Sequence, residues 1–190
     1  MGTLRLTFDD GPDPRGTTRV LEALGAADAQ ATFFVLGARA AAHPKLIARI
    51  LAEGHAVGLH GHEHLRHSEL SRAAGEEDTD RALGVLSELG ARPSRWRTPW
   101  GVEGEWTREV ATERGLDLVH WDADTHDWRG DRAPAMLAAV APRLRDGAIV
   151  LAHDGLGPGA LRHDCDETAA LIRPLVAAAR QLGLEPRALT

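Results

Sequence analysis

One cysteine, Cys165, stands in 190 residues, so no internal disulfide framework can form. Tyrosine is absent, and apart from Lys45 the 22 basic residues are all arginine. That skew reads as codon bias in a GC-rich genome and carries no physical message. No window of about 18 uncharged apolar residues occurs, so no membrane span is expected. A dense basic stripe is also missing and the formal net charge is −6, which argues against a nucleic-acid partner. The start, MGTLRLTFDDGP, lacks the basic residues and the apolar run of about 7–15 that mark a secretory leader. As written, a cytoplasmic location is expected; a chain trimmed of its leader would be secreted.

Hydrophobic residues make up 43% and charged residues 26%, ordinary values for a globular chain. A chain this long can bury roughly 70% of its unfolded surface, and residues 1–190 are read as one domain. The ten histidines are more informative, because histidine is both a common metal ligand and a group that titrates near neutral pH.

Short apolar runs bounded by Gly or Pro read as buried strands: Leu4–Phe8, Ala31–Leu36, Ala56–His60, Trp96–Thr98, Leu116–Trp121, Ala148–His153 and Glu185–Leu189. Helical spacing falls between them, at Thr18–Leu24, Pro44–Glu53, Ser71–Leu89, Trp106–Arg114, Pro134–Arg145 and Asp166–Leu182. Several of these helices stop at a glycine just before a strand, the αβ-loop chemistry of repeated βα units. The alternation predicts α/β architecture with a mainly parallel sheet, either open and doubly wound or closed as a barrel.

Polar residues gather where these strands end. The first strand runs into Asp9-Asp10-Gly11-Pro12, and adjacent carboxylates there need positive charge beside them. The third ends in His60 with His64 four residues on, a spacing that binds zinc in other enzymes. The fourth ends in Arg97-Thr98-Pro99-Trp100-Gly101, the fifth is followed by Asp127-Trp128, and the sixth ends in His153-Asp154. Two histidines and one carboxylate make a three-ligand metal site with room for water and substrate. A second carboxylate can then act as base and a histidine across the cleft as acid.

Thr7–Pro12 (TFDDGP), His60-x-x-x-His64, Arg97-x-Pro99-Trp100-Gly101, Asp127-Trp128 and Leu151-x-His153 resemble, in order, the five motifs of the polysaccharide deacetylases, carbohydrate esterase family four. The resemblance covers nearly the whole chain and implies a distorted (β/α)7 barrel. It implies Asp10, His60 and His64 as ligands of one divalent metal, zinc by the family's habit, with cobalt or nickel tolerated. Asp9 would be the base toward a water activated by the metal, with Arg97 fixing its charge and direction. His153 would be the acid that protonates the leaving amine, oriented by Asp127. Trp100, following Pro99, would offer its backbone N–H to the oxyanion, and Trp128 and Leu151 would line the acetyl pocket. The implied partner is an amino-sugar or other carbohydrate, and the implied reaction is removal of N-acetyl groups from N-acetylglucosamine units.

Two rival readings remain open: a cytoplasmic small-molecule N-deacylase or other C–N amide hydrolase on the same fold, and a catalytically silent carbohydrate-binding domain. The chain also departs from the family pattern. Gly61 stands where Ser or Thr usually braces the metal site, and Leu59 where Asn is common. His62 and His67 crowd the His64 turn and compete for the second-histidine place. The loop Asp154–Asp166 is long enough to cap a cleft. His62, His67 and His163 read as loop residues, with His163 a candidate for substrate contact. His120 reads as a structural strand residue, and His43 and His55 as partners of helix-end carbonyls.

Overall fold

A computed structural model describes residues 1–189. In chain order the elements are β1 (Gly2–Asp9), α1 (Gly16–Ala26), β2 (Ala31–Val35), α2 (Gly37–Ala42), α3 (Pro44–Ala52), β3 (Ala56–Leu59), α4 (Arg72–Glu88), β4 (Arg95–Trp96), α5 (Thr107–Glu113), β5 (Asp117–Leu118), β6 (Ala123–Asp124), α6 (Ala133–Val140), β7 (Ile149–His153), α7 (Asp166–Gln181) and β8 (Leu184–Pro186). Every strand pairing is parallel. The order across the sheet is β5-β4-β3-β2-β1-β7-β6, with β8 on the first residues of β1. The sheet curls into a distorted barrel, and among the described residues β5 and β6 are not paired with each other.

The strand faces divide the core in two. Leu4, Leu6 and Phe8 alternate along β1 and pack, with Phe33 and Val35, against Val20, Leu21, Ile47, Leu171 and Leu175 of the surrounding helices. This outer layer is apolar, with Phe8 and Phe33 stacked within it. The inward set is different: Thr7 and Asp9 sit opposite Leu151 and His153 in the β1–β7 register, and paired residues of parallel neighbours share a face. The polar side chains therefore fill the mouth of the barrel, the end where such folds carry their chemistry.

Six of the expected helices form, and α2 is additional. Its sequence, GARAAA, has no apolar stripe, so periodicity had nothing to detect. The two-residue β6 was likewise too short to signal itself, and its presence raises the strand number to eight. His120 is not a strand residue; it lies beyond β5, half exposed, with Nε2 2.9 Å from Glu103. His67 is no open loop residue either: it is buried, 3.0 Å from Thr107 Oγ1, and stacks on Trp106. His55 does not reach a carbonyl; its Nδ1 accepts the Ala31 N–H at 3.2 Å. Among the described residues, no helix is long and apolar enough to cross a membrane.

Gly75 shows how tightly α4 meets its neighbour. A Cβ there would lie 2.0 Å from Trp106 Cη2, so only glycine admits the indole. Gly84, on the same helix, has nothing within 4 Å of such a Cβ. Ala at position 84 is expected to stabilise the protein by about 0.5–1 kcal/mol through helix propensity. Gly75→Ala is expected to destabilise it by about 1–3 kcal/mol through overpacking. Urea denaturation of the two variants checks the opposite signs.

Candidate active site

Strand ends set the geometry. Asp9 closes β1 and pairs in register with His153, the last residue of β7. Asp10 follows, His60 follows β3 with its N–H on Val35 O at 3.0 Å, and Arg97 follows β4 with its N–H on Leu59 O at 2.9 Å. One cleft of about 310 Å³ is lined by Asp9, Asp10, His60, His64, Trp100, Trp128, Leu151 and His153. Arg97 and Asp127 stand behind its wall, both buried. Pro99, also buried, begins the short turn that carries Trp100.

Arg97 plugs the barrel. Its guanidinium donates to Asp9 Oδ1 at 2.8 Å, Thr7 Oγ1 at 2.7 Å and the carbonyls of Val119 and His120 at 3.3 and 3.1 Å. The face of Phe34 lies 4.3 Å away. A charge buried this deeply persists only when paired and hydrogen-bonded, and Asp9 supplies the opposite charge.

Across the cleft, His153 Nδ1 lies 2.7 Å from Asp127 Oδ1. The carboxylate only accepts, so Nδ1 carries the proton. Asp127 Oδ2 accepts from the His153 N–H at 2.9 Å, Thr168 Oγ1 at 2.7 Å and Arg162 Nη1 at 2.9 Å. Burial works to raise the Asp127 carboxyl, but His153 and Arg162 outweigh it and hold it at about 2. Burial works to lower His153, but the charge and hydrogen bond of Asp127 outweigh it and raise the imidazole to about 9.

Between these pairs, Asp10 Oδ1 lies 3.3 Å from His60 Nε2 and 3.1 Å from His64 Nε2. One ligand atom from each of the three residues lies within 4.8 Å of the others. Asp10 Oδ1 is buried and makes no properly aligned hydrogen bond. Burial would raise the Asp10 carboxyl, yet the two imidazoles pull it well below the usual carboxylate range. His60 Nδ1 lies 2.7 Å from Arg97 O, which places a proton there, so that in the neutral imidazole Nε2 keeps its lone pair for a cation. An orphaned carboxylate oxygen facing two imidazole nitrogens fits a divalent cation. His62 and His67 do not join this group.

Backbone strain concentrates at the same place. Non-glycine residues with positive φ are Asp10 (71°), Asp28 (49°), Trp100 (55°) and His126 (58°). Asp10 and Trp100 line the cleft, and His126 precedes Asp127. Such conformations cost on the order of 1–3 kcal/mol each and persist where the surrounding structure holds them; Asp28 lies apart, in the turn between α1 and β2.

Several contributors were not visible in the sequence reading. Arg162, in the loop after β7, clamps Asp127 and also donates to the carbonyls of His153 and Gly155, both at 3.0 Å. Arg39 of α2 donates to Asp10 O and Leu156 O, both at 2.8 Å. The loop itself lines the cleft with Gly157, Pro158, Gly159 and Ala160, so it does flank the opening, whereas His163 is not among the lining residues. Asp154, fully buried beneath Gly11, has its carboxyl raised to about 7 by burial, so its negative charge is only partly developed at neutral pH. Cys165 is buried and its thiol is pushed up to about 12, first by burial, which makes it unreactive.

A curled parallel β/α barrel with paired carboxylates and histidines gathered at the carboxyl ends of its strands carries its polar groups where barrel enzymes place their active sites. The family model for polysaccharide deacetylase matches residues 2–119. A chitooligosaccharide deacetylase of Bradyrhizobium sp. (strain ANU 289) is 39% identical over 172 residues, 86% of this chain and 76% of that one. The chain belongs to the polysaccharide deacetylase family. A family 4 carbohydrate esterase from Streptomyces lividans, solved in complex with acetate, superposes with a TM-score of 0.88 at 30% identity, covering 97% of this chain and 91% of that one. A CE4 family pseudoenzyme from Bacillus anthracis also superposes at 0.88, with 20% identity over 99% of this chain and 64% of that one; that likeness concerns the fold alone.

The Asp127–His153 pair has a measurable signature. His153 is raised, so the stability it contributes is fully present below its ordinary 6.5 and is lost as pH rises through about 9. In EDTA-treated protein the His153 ring proton is expected to titrate by NMR near 9. In Asp127→Asn, where burial acts with less opposition, the midpoint is expected to fall by more than about one unit.

Proposed function

We propose that the protein is a metal-dependent hydrolase that removes N-acetyl groups from N-acetylglucosamine-containing oligo- or polysaccharide, with residues 1–190 working as one catalytic domain. One observation carries the proposal: a cation-type triad lies in a single cleft between a carboxylate paired to arginine and an imidazole paired to aspartate. The named activity of the Bradyrhizobium relative supports the substrate class.

Asp10, His60 and His64 would hold the metal, with zinc first among the candidates. A divalent cation there supplies Lewis-acid chemistry toward water and the amide carbonyl. Asp9 takes a proton from the attacking water. Arg97 holds that carboxylate ionised and pointed into the cleft. Water oxygen bonds to the acetyl carbon, and the Trp100 backbone N–H, presented by its left-handed conformation, meets the negative charge that grows on the carbonyl oxygen. His153 Nε2 then gives its proton to the amide nitrogen as the C–N bond breaks, releasing acetate and a free amine. Asp127 keeps His153 charged through the neutral range, which suits an acid facing a poor leaving group. Leu151 and Trp128 border the methyl side of the acetyl group.

The reading of a silent carbohydrate-binding domain draws no support from the site, since every side chain such chemistry needs is present in one cleft or directly behind its wall. Fold likeness cannot decide it, because a pseudoenzyme shares the fold. Acetate release from chitopentaose decides it: release is expected, chelator should abolish it and zinc should restore it. Activity confined to the monosaccharide would favour a small-molecule deacylase, and none on any substrate with metal loaded would leave the silent domain. Asp9→Asn is expected to keep metal binding yet lose about 10²–10⁴-fold in kcat. His153→Ala should slow the amide far more than an activated acetyl ester, whose leaving group needs no proton. Equal losses on both would remove His153 as the acid.

A further inference from the structure

The two histidines of the triad are held differently. His60 has its own ring hydrogen bond, from Nδ1 to Arg97 O. His64 has none: its Nδ1 is buried and without a hydrogen-bond partner. What steers His64 is the edge of Trp100, with ring centroids 4.1 Å apart, and the path of the chain between residues 60 and 64. That path is unusual, because Gly61 sits at φ +95°, which side-chain-bearing residues rarely adopt.

The turn is gripped from two sides. Its carbonyls are held by α2: Gly61 O accepts from Gly37 N at 2.9 Å and His62 O from Ala38 N at 3.1 Å. Its N–H groups are held by one side chain of α4. Asp78 Oδ2 accepts from His62 N at 2.8 Å and Asp78 Oδ1 from Glu63 N at 2.9 Å. A Cβ at position 61 would lie 2.9 Å from Asp78 Oδ2, so the bare backbone is what lets the carboxylate close in. Hydrogen bonds from backbone N–H to a carboxylate are among the stronger ones. Asp78 spends both oxygens on two of the three residues that bridge the histidines.

We propose that Asp78 is the positioning residue for the cation site, clamping the His60–His64 turn so that His64 Nε2 faces Asp10. The inference rests on the proposed metal-dependent reading. Asp78 lies outside the cleft lining and touches neither substrate nor reacting atoms. Its effect is on the entropy and aim of His64: without the clamp, the turn samples conformations in which the third ligand is misdirected.

The test is titration of zinc into EDTA-stripped, dialysed protein, read by calorimetry, with the visible absorption of the Co²⁺ form as a signature of coordination. Asp78→Ala is expected to weaken zinc binding about 10–100-fold, the usual effect of losing a group that orients a ligand. Asp78→Asn keeps the shape but can accept only one of the two N–H groups, and is expected to fall between Asp78→Ala and the parent; it also serves if the alanine variant does not fold. Both variants should show a changed Co²⁺ spectrum, whereas Asp80→Ala, on the same helix but paired with Arg114, should leave affinity and spectrum unchanged. Affinity and spectrum within twofold of the parent in Asp78→Asn would overturn the role of Asp78 while leaving the metal-dependent reading intact. A parent protein that takes up no divalent ion would overturn both.

Discussion

Everything at the mouth of this barrel depends on one buried ion pair. Arg97 puts a permanent positive charge where a β/α barrel ordinarily packs aliphatic side chains. Its planar fork donates to strands on both sides, to Thr7 and Asp9 of β1 and to carbonyls beyond β5. These contacts tie the centre of the sheet to its edge at the place where β5 and β6 do not pair. A lysine could supply the charge but not the divergent donors. Removing either partner strands the other charge in the interior, a penalty of roughly 3–5 kcal/mol. The plug thus closes the barrel and aims Asp9 with the same atoms.

The distribution of negative charge around the cleft follows from that pairing. Asp9 is balanced by Arg97, and Asp127 by His153 and Arg162. Asp154 is pushed toward neutrality by burial. Asp10 alone faces imidazoles and no arginine side chain, with one oxygen that no donor satisfies. Pairing thus balances Asp9 and Asp127, and burial weakens the charge of Asp154, while Asp10 is the carboxylate on which two histidines converge. A cation at that point completes the electrostatics rather than adding to them.

Much of this was legible because the chemistry lies at strand ends, where short motifs travel with strong strand signals. Asp9, Asp10, His60, Arg97 and His153 all sit at the end of a strand with a strong signal or directly after it, so finding the strands nearly finds these residues; Asp127 follows the short β6 and shows only through its motif. What stayed hidden has another origin. Arg162 meets Asp127 across 35 positions of sequence, and Asp78 meets His62 across 16; such partners are set by how elements pack, not by local pattern. His67 was read as a loop residue because nothing near it in sequence announces Trp96 or Trp106, yet both rings close around it. The missing α2 belongs to the same class. It is recognisable only from its use, since Arg39 and the N–H groups of Gly37 and Ala38 hold Asp10, the loop after β7 and the histidine turn.

The division between the scaffold and the site explains how a fold can be shared with a protein described as a pseudoenzyme. The apolar layer between sheet and helices is insulated from the cleft by the strands themselves, because alternation sends Leu6 and Phe8 one way and Thr7 and Asp9 the other. Hydrophobic burial in that layer holds the sheet to its helices without most of the inward residues, the Arg97–Asp9 pair excepted. The site, by contrast, is a network of paired charges, strained turns and hydrogen-bonded loops, in which each member constrains the next. Asp10 and Trp100 hold left-handed conformations that the outer core does not require. Both residues line the cleft, so this strain is borne by the site and not by the apolar layer that packs the sheet against its helices.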